Sequence, residues 1–185
     1  MTKPLNPDAK PLQWRTDLDF TGLRFKDREE TIGATVHCSA SKPSQNWGAI
    51  EVDRMHRERG WLCIGYHFVI ARDGTIHAGR PMNKAGAHCK QGRRNQTHVS
   101  VCLIGGVSAR PQEHVPGSPW NGSDAEANFT PEQNTTLRSL LDFLMGVYGF
   151  SEDAIEGHRN VKGVRKACPS FSVKTFLAQG TFELD

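Results

Sequence analysis

Short runs of apolar and β-branched residues, bounded by turn-forming residues, predict the strands of a β-sheet. The runs cover residues 31–38, 63–70, 76–78, 98–104 and 155–158. Between the second and third runs, Asp73 and Gly74 favour the positive backbone dihedrals of a tight turn, so these two runs predict a hairpin.

The most strongly predicted helix follows Thr130. Thr130 is a good N-cap, Pro131 suits the first helical position, and Gln133 completes a capping box. Apolar residues then recur at helical spacing, at Leu137, Leu140, Leu141, Leu144 and Tyr148. This apolar face predicts a helix that packs on the sheet.

Two other helices are predicted on either side of it. Asn46 can cap a helix that runs to about Arg59, with Val52 and Met55 on its inner face. A shorter helix is expected at residues 172–179. Strands mixed with helices predict one α/β domain, in which a central mixed sheet is flanked by helices.

Two segments have the character of irregular structure. Residues 1–29 are charged and dotted with Pro, and they predict an extended N-terminal arm ahead of a domain that covers residues 30–185. Residues 107–128 are rich in Pro, Gly and Ser and predict a long surface loop, with Trp120 near its middle.

Composition narrows the function classes. The longest apolar runs are shorter than the ~20 residues of a membrane-spanning helix, and the N-terminus lacks the apolar core of a secretory signal. We therefore expect synthesis in a cytoplasm, no membrane insertion, and reduced thiols for the five Cys. A net charge of +3 with interspersed signs does not indicate direct nucleic-acid binding.

Candidate metal ligands lie far apart in the sequence. His158 and Cys168 are ten positions apart, and His37 lies at the end of the first predicted strand. Two imidazoles and one thiolate suit zinc, and three protein ligands would leave a coordination position for water, as in catalytic zinc sites. Residue types alone leave a zinc site and three unrelated structural side chains about equally supported.

Two further residues have a candidate chemical role. Lys166 lies two positions before Cys168, where its charge would favour a thiolate, or would stabilise an oxyanion in a transition state. Tyr66 could hold a water molecule or an oxyanion beside the metal. The alternatives are a solvated surface lysine and an aromatic ring packed on a strand.

Several blocks of sequence occur in an order typical of one family. They are residues 36–46, 60–62, 65–68, 72–75, 101–106, 127–131 and 166–171. With these blocks the chain resembles, from about Arg28 to Leu177, the lysozymes of the T-odd coliphages, which are zinc-dependent N-acetylmuramoyl-L-alanine amidases with the fold of peptidoglycan recognition proteins. Ser100 replaces the usual Gly, and the N-terminal arm and the 107–128 loop are longer.

The resemblance implies the roles of individual residues. By position, His37, His158 and Cys168 would bind one zinc ion, and Tyr66 and Lys166 would be needed for activity. His67 would then face away from the metal. His88 matches a groove position and would contact the substrate.

The resemblance also implies a biological role. The protein would be a monomeric phage endolysin that hydrolyses the amide between N-acetylmuramic acid and L-alanine of peptidoglycan. It would wait in the host cytoplasm until a separate protein, such as a holin, permeabilises the membrane. Relatives also inhibit the phage RNA polymerase, partly through the N-terminal region, which differs here. The competing hypotheses are a non-catalytic peptidoglycan-binding module, a polymerase inhibitor, and a zinc peptidase that cuts within the stem peptide.

Overall fold

A five-stranded mixed sheet forms the centre of the protein, which a computed structural model describes for residues 12–109 and 124–183. The strands are β1 (Gly33–Cys38), β2 (Phe68–Ile70), β3 (Ile76–Ala78), β4 (His98–Leu103) and β5 (Ile155–Gly157). Their order across the sheet is β3-β2-β4-β1-β5. The predicted α/β class and mixed sheet are confirmed.

The pairing directions place four strand ends at one edge. β1 pairs in parallel with β4 and with β5, β2 pairs in parallel with β4, and β3 runs antiparallel to β2. The carboxyl ends of β1, β2, β4 and β5 therefore lie at the same edge of the sheet. In open α/β sheets this edge is where ligands usually bind.

Helices cover both faces of the sheet. They are α1 (Ala49–Glu58), the short α2 (Arg94–Thr97), α3 (Pro131–Tyr148) and α4 (Val173–Gln179). Four leucines of α3 and Phe176 of α4 pack with the strands on one face, and Ala49 and Val52 of α1 pack with Val69, Cys102 and Ile104 on the other. The sheet is thus the middle of three layers.

The N-terminus of α3 has the predicted capping box. Thr130 Oγ1 accepts a hydrogen bond from the backbone N–H of Gln133, and Gln133 Oε1 accepts one from the N–H of Thr130, both at 3.1 Å. The side-chain amide of Gln133 also donates to the carbonyls of Ile70 and Ile104. These two bonds fasten the start of α3 to the ends of β2 and β4.

Helix α1 differs from its prediction. Its N-cap is Gly48 and not Asn46, and Glu51 accepts a hydrogen bond from the Gly48 N–H at 2.7 Å. Its buried face holds Val52 and His56, whereas Arg59 is exposed and Met55 is only partly buried. The predicted face was displaced because His56 was not recognised as a buried position.

The second predicted strand is also shorter than its apolar run. Residues 63–67 lead into the sheet without strand structure, and β2 begins at Phe68. The hairpin is confirmed, since Gly74 has a φ of +82° and the Ala71 N–H donates to the Thr75 carbonyl. Residues 110–123 of the predicted loop, Trp120 included, lie outside the described residues.

The described part of the N-terminal segment, residues 12–29, packs on the domain. Arg15 pairs with β3 at His77, so the segment covers an edge of the sheet. Trp14 contacts Phe68 on one face, and Phe20 and Phe25 pack with the core on the other. Among the described residues, no helix is both long and apolar enough to span a bilayer.

The buried histidines predict acid-sensitive folding. Burial, as the main cause, lowers the pKa of His56 to about 4, of His67 to about 3 and of His98 to about 4. Each is neutral when folded, whereas the unfolded chain binds a proton near pH 6.5. We expect the free energy of unfolding of metal-free protein to fall as pH drops from 6.5 to 4, by about 1.4 kcal/mol per pH unit for each such histidine.

Guanidinium titrations at pH 7, 6, 5 and 4 measure this dependence. The control is His56→Asn, whose amide oxygen can still accept the Gly65 N–H that Nδ1 of His56 accepts at 3.0 Å. In this variant the free energy of unfolding should fall less steeply with pH, by about 1.4 kcal/mol per pH unit, because one fewer histidine takes up a proton on unfolding. A flat profile in the original protein would contradict the prediction.

Candidate metal centre

Three side chains from distant parts of the chain meet at the carboxyl edge of the sheet. One potential ligand atom each of His37, His158 and Cys168 lies within 4.8 Å of the others, and all three residues are buried. Cys168 Sγ lies 3.7 Å from Nδ1 of His37. These are the three residues that the sequence singled out as candidate ligands, and together they could bind a metal ion.

The two histidines are brought together by strand pairing. His37 is the fifth residue of β1, and His158 directly follows β5. Val36 pairs with Gly157 in the parallel register. The residues that follow them, His37 and His158, therefore lie next to each other at the same edge of the sheet. The two imidazole rings have their centroids 4.5 Å apart.

Cys168 approaches from a loop that is tied to the sheet. Its carbonyl accepts a hydrogen bond from the N–H of Arg159 at 2.7 Å, one residue beyond His158. Nearby, Gly106 has a φ of +100°, and a Cβ on it would lie 2.6 Å from Cys38 Sγ. The absence of a side chain at Gly106 therefore allows the strand ends and the cysteine loop to pack closely.

The sulfur of Cys168 lies in a polar but buried setting. The backbone N–H of Cys38 donates to Sγ at 3.2 Å, which would stabilise a thiolate. Burial, however, raises the pKa of the Cys168 thiol well above its usual value. Lys166, which was predicted to favour a thiolate, is exposed, and burial is the largest influence on this thiol.

Lys166 instead acts on the histidines. After burial, its positive charge is among the causes that lower the pKa of His37 and the pKa of His158, the latter to about 4. Both imidazoles are consequently neutral near pH 7, which is the form that binds metals. The exposed ammonium of Lys166 is thus close enough to the centre to influence its charge.

Tyr66 faces the centre, whereas the ring of His67 makes its contacts elsewhere. The Tyr66 ring lies 5.0 Å from the His37 ring, and its pKa is raised well above the usual value, first by burial and then by the nearby cysteines, Cys168 among them. The ring of His67 contacts Ser100 at 2.8 Å and the carbonyl of Lys84 at 2.9 Å.

His88 is buried at the back of the centre. Its side chain is reached by the other nitrogen of His37, since His37 Nε2 lies 3.0 Å from His88 Nδ1. Only 8% of His88 is exposed. This placement was not apparent from the sequence, which placed His88 in a groove only by resemblance.

Sequence reasoning also missed His56. This residue of α1 is 1% exposed, stacks on Trp61 at 4.4 Å and lies 5.3 Å from the Tyr66 ring. The His56 ring therefore packs beside the Tyr66 ring. The available signal was its spacing, because His56 follows Val52 by four residues on the same helix face.

Comparison with known proteins agrees with the fold and identifies a family. Residues 28–171 match the family model described as N-acetylmuramoyl-L-alanine amidase. The chain is 44% identical over 153 residues to the endolysin of Escherichia phage T7, a match that covers 82% of this chain and 89% of that protein.

Two solved structures are similar as well. The N-acetylmuramoyl-L-alanine amidase LysC from Clostridium intestinale superimposes with a TM-score of 0.59 at 25% identity, covering 90% of this chain and 93% of that one. Bumblebee PGRP-SA shares the fold, with a TM-score of 0.61 at 20% identity and coverage of 90% and 94%. With most of its length matched to the family model, the chain belongs to the N-acetylmuramoyl-L-alanine amidase family.

Proposed function

We propose that this protein is a phage endolysin that hydrolyses the amide between N-acetylmuramic acid and L-alanine, using one zinc ion. The observation that carries the proposal is the meeting of His37, His158 and Cys168 in a chain of the amidase family. The T7 relative, which is named an endolysin, supports the biological role.

The donor set fits zinc. Around a tetrahedral zinc ion, with bonds of about 2.1 Å to nitrogen and 2.3 Å to sulfur, neighbouring ligand atoms are roughly 3.4–3.6 Å apart. The 3.7 Å between Cys168 Sγ and His37 Nδ1 is close to that spacing. Two imidazoles with a thiolate suit zinc better than the oxygen-preferring magnesium or calcium ions.

The chemistry follows from an incomplete ligand set. When bound by three protein ligands, zinc supplies a Lewis acid with an open position, where a water molecule becomes a nucleophile near neutral pH. The buried Cys38 N–H would hold the Cys168 sulfur in place. Because a raised thiol pKa must be overcome, metal binding would release the proton of Cys168.

Tyr66 and Lys166 would both act on the reaction, although the phenol of Tyr66 is buried and the ammonium of Lys166 is exposed. The phenol of Tyr66 stays protonated because burial raises its pKa, so it can donate a hydrogen bond that orients the water or the leaving amine. The exposed ammonium of Lys166 would stabilise the negative charge on the carbonyl oxygen in the tetrahedral transition state.

The presence of Cys168 separates this proposal from its main rival. A module that only binds peptidoglycan has no need of a buried thiol beside two neutral histidines, whereas a hydrolase does. Contact with the phage RNA polymerase, a monomeric state, and release through a holin stay predictions.

Digestion of purified peptidoglycan tests the function. We expect new L-alanine amino termini and intact glycan chains, both identified by mass spectrometry. New reducing sugars would indicate a glycosidase. Cuts between amino acids would indicate a peptidase within the stem peptide. Either result would contradict the amidase.

Replacement of Cys168 tests its role as a zinc ligand. Cys168→Ser should weaken zinc affinity by more than about 100-fold, beyond the usual effect of changing a group outside the ligand set, and should abolish lysis at the same time. Competition with a chromophoric chelator measures the affinity. The control is Cys89→Ser, because Cys89 is a buried thiol outside the ligand set. If Cys168→Ser bound zinc with unchanged affinity, the assignment of Cys168 as a ligand would be wrong.

Removal of the ammonium tests the role of Lys166. Lys166→Ala should keep its zinc and lose about 10²–10³-fold in kcat, as expected when an oxyanion-stabilising group is removed. Lys162→Ala is the matched control, since Lys162 is an exposed lysine of the same loop. If both variants turned over substrate like the original protein, the oxyanion role would be wrong.

A further inference from the structure

Both ring nitrogens of His37 are engaged. Nδ1 faces the Cys168 sulfur at 3.7 Å, and Nε2 lies 3.0 Å from Nδ1 of His88. The two imidazole rings are nearly perpendicular, at 83°, with centroids 5.0 Å apart. His88 therefore contacts a candidate ligand on the side away from the sulfur.

This contact determines where the proton of His37 resides. A neutral imidazole carries one proton, and the nitrogen that binds a metal must be the other one. If Nδ1 of His37 is the ligand atom, its proton is on Nε2 and points at His88. The hydrogen bond then requires an unprotonated Nδ1 on His88, so His88 carries its own proton on Nε2.

The surroundings of His88 fix the position of its ring. Asn95 fixes its backbone, because Oδ1 of Asn95 accepts the N–H groups of His88 and Cys89, both at 2.8 Å. A Cβ on Gly86 would lie 2.4 Å from Cδ2 of His88, so the ring rests directly on the Gly86 backbone.

The same burial argues against a substrate contact. Nε2 of His88 is inaccessible to solvent. Nδ1 is occupied by His37. Neither ring nitrogen of His88 is therefore available to form a hydrogen bond with a peptidoglycan substrate.

We propose that His88 is a positioning residue, which accepts the Nε2–H of His37 and so selects the tautomer that leaves Nδ1 of His37 free for the metal. This inference rests on the proposed metal function. It assigns His88 to the orientation of a ligand, in place of the substrate contact implied by the family resemblance. Groups that orient metal-binding histidines in this way usually contribute 10–100-fold to affinity.

Two substitutions of similar size separate the hydrogen bond from packing. In His88→Asn, the amide Oδ1 occupies nearly the place of Nδ1 and can accept the same proton. In His88→Leu, the volume is similar but the acceptor is lost. Zinc affinity, measured by chelator competition on the full chain, should fall 10–100-fold in His88→Leu and stay within about threefold of the original value in His88→Asn.

A second readout needs neither metal nor substrate. Nitrogen-15 NMR of the histidine rings in metal-free protein should show the Nε2–H tautomer of His37 in the original protein and in His88→Asn. In His88→Leu the two tautomers should be mixed. Thermal unfolding of each variant without metal shows whether it is folded.

The outcomes discriminate clearly. Equal losses of zinc affinity in both variants would show that the ring only fills space and would overturn the proposal. Unchanged zinc affinity with a raised KM at saturating zinc would show a substrate contact and would also overturn it. If the original protein failed to bind zinc, the proposed metal function would fall. The His37 tautomer would still decide whether His88 directs its proton.

Discussion

The parallel pairing of β1 with β5 is the constraint on which the centre depends. The register that joins Val36 to Gly157 places His37 and His158 side by side at one edge of the sheet. A shift by one residue would turn one of the two imidazoles to the opposite face, because side chains alternate along a strand. The position of two candidate ligands is thus a property of backbone hydrogen bonding between strands that are more than a hundred residues apart in the sequence.

Burial decides the protonation states around this edge. It lowers the pKa of His37 and His158 and raises the pKa of the Cys168 thiol, so without a cation all three groups are neutral. Neutral imidazoles are ready to bind a metal, but the thiol must first lose a proton. A cation bound between them would offset the cost of burying a negatively charged thiolate. It would also couple metal binding to folding.

A second layer of backbone and side-chain groups surrounds the candidate ligands and Tyr66. Cys38 donates its N–H to the sulfur, His88 lies against His37, and His56 of α1 packs beside Tyr66. Asn95 in turn fixes the backbone of His88. Such a layer restricts the candidate ligands to one geometry, which is what a metal site would need to avoid the cost of reorganisation.

The sequence by itself determined the features that depend on nearby residues and on residue type. The capping box of Thr130 and Gln133 and the turn at Gly74 were predicted, because caps and turns are local, and residue type alone selected the three side chains that meet at the centre. The tertiary structure alone decided that His56 is buried on α1, that burial dominates at the Cys168 thiol and that His88 points inward. Each of these depends on burial and on contacts between distant segments, and neither is encoded in the spacing of residues along the chain.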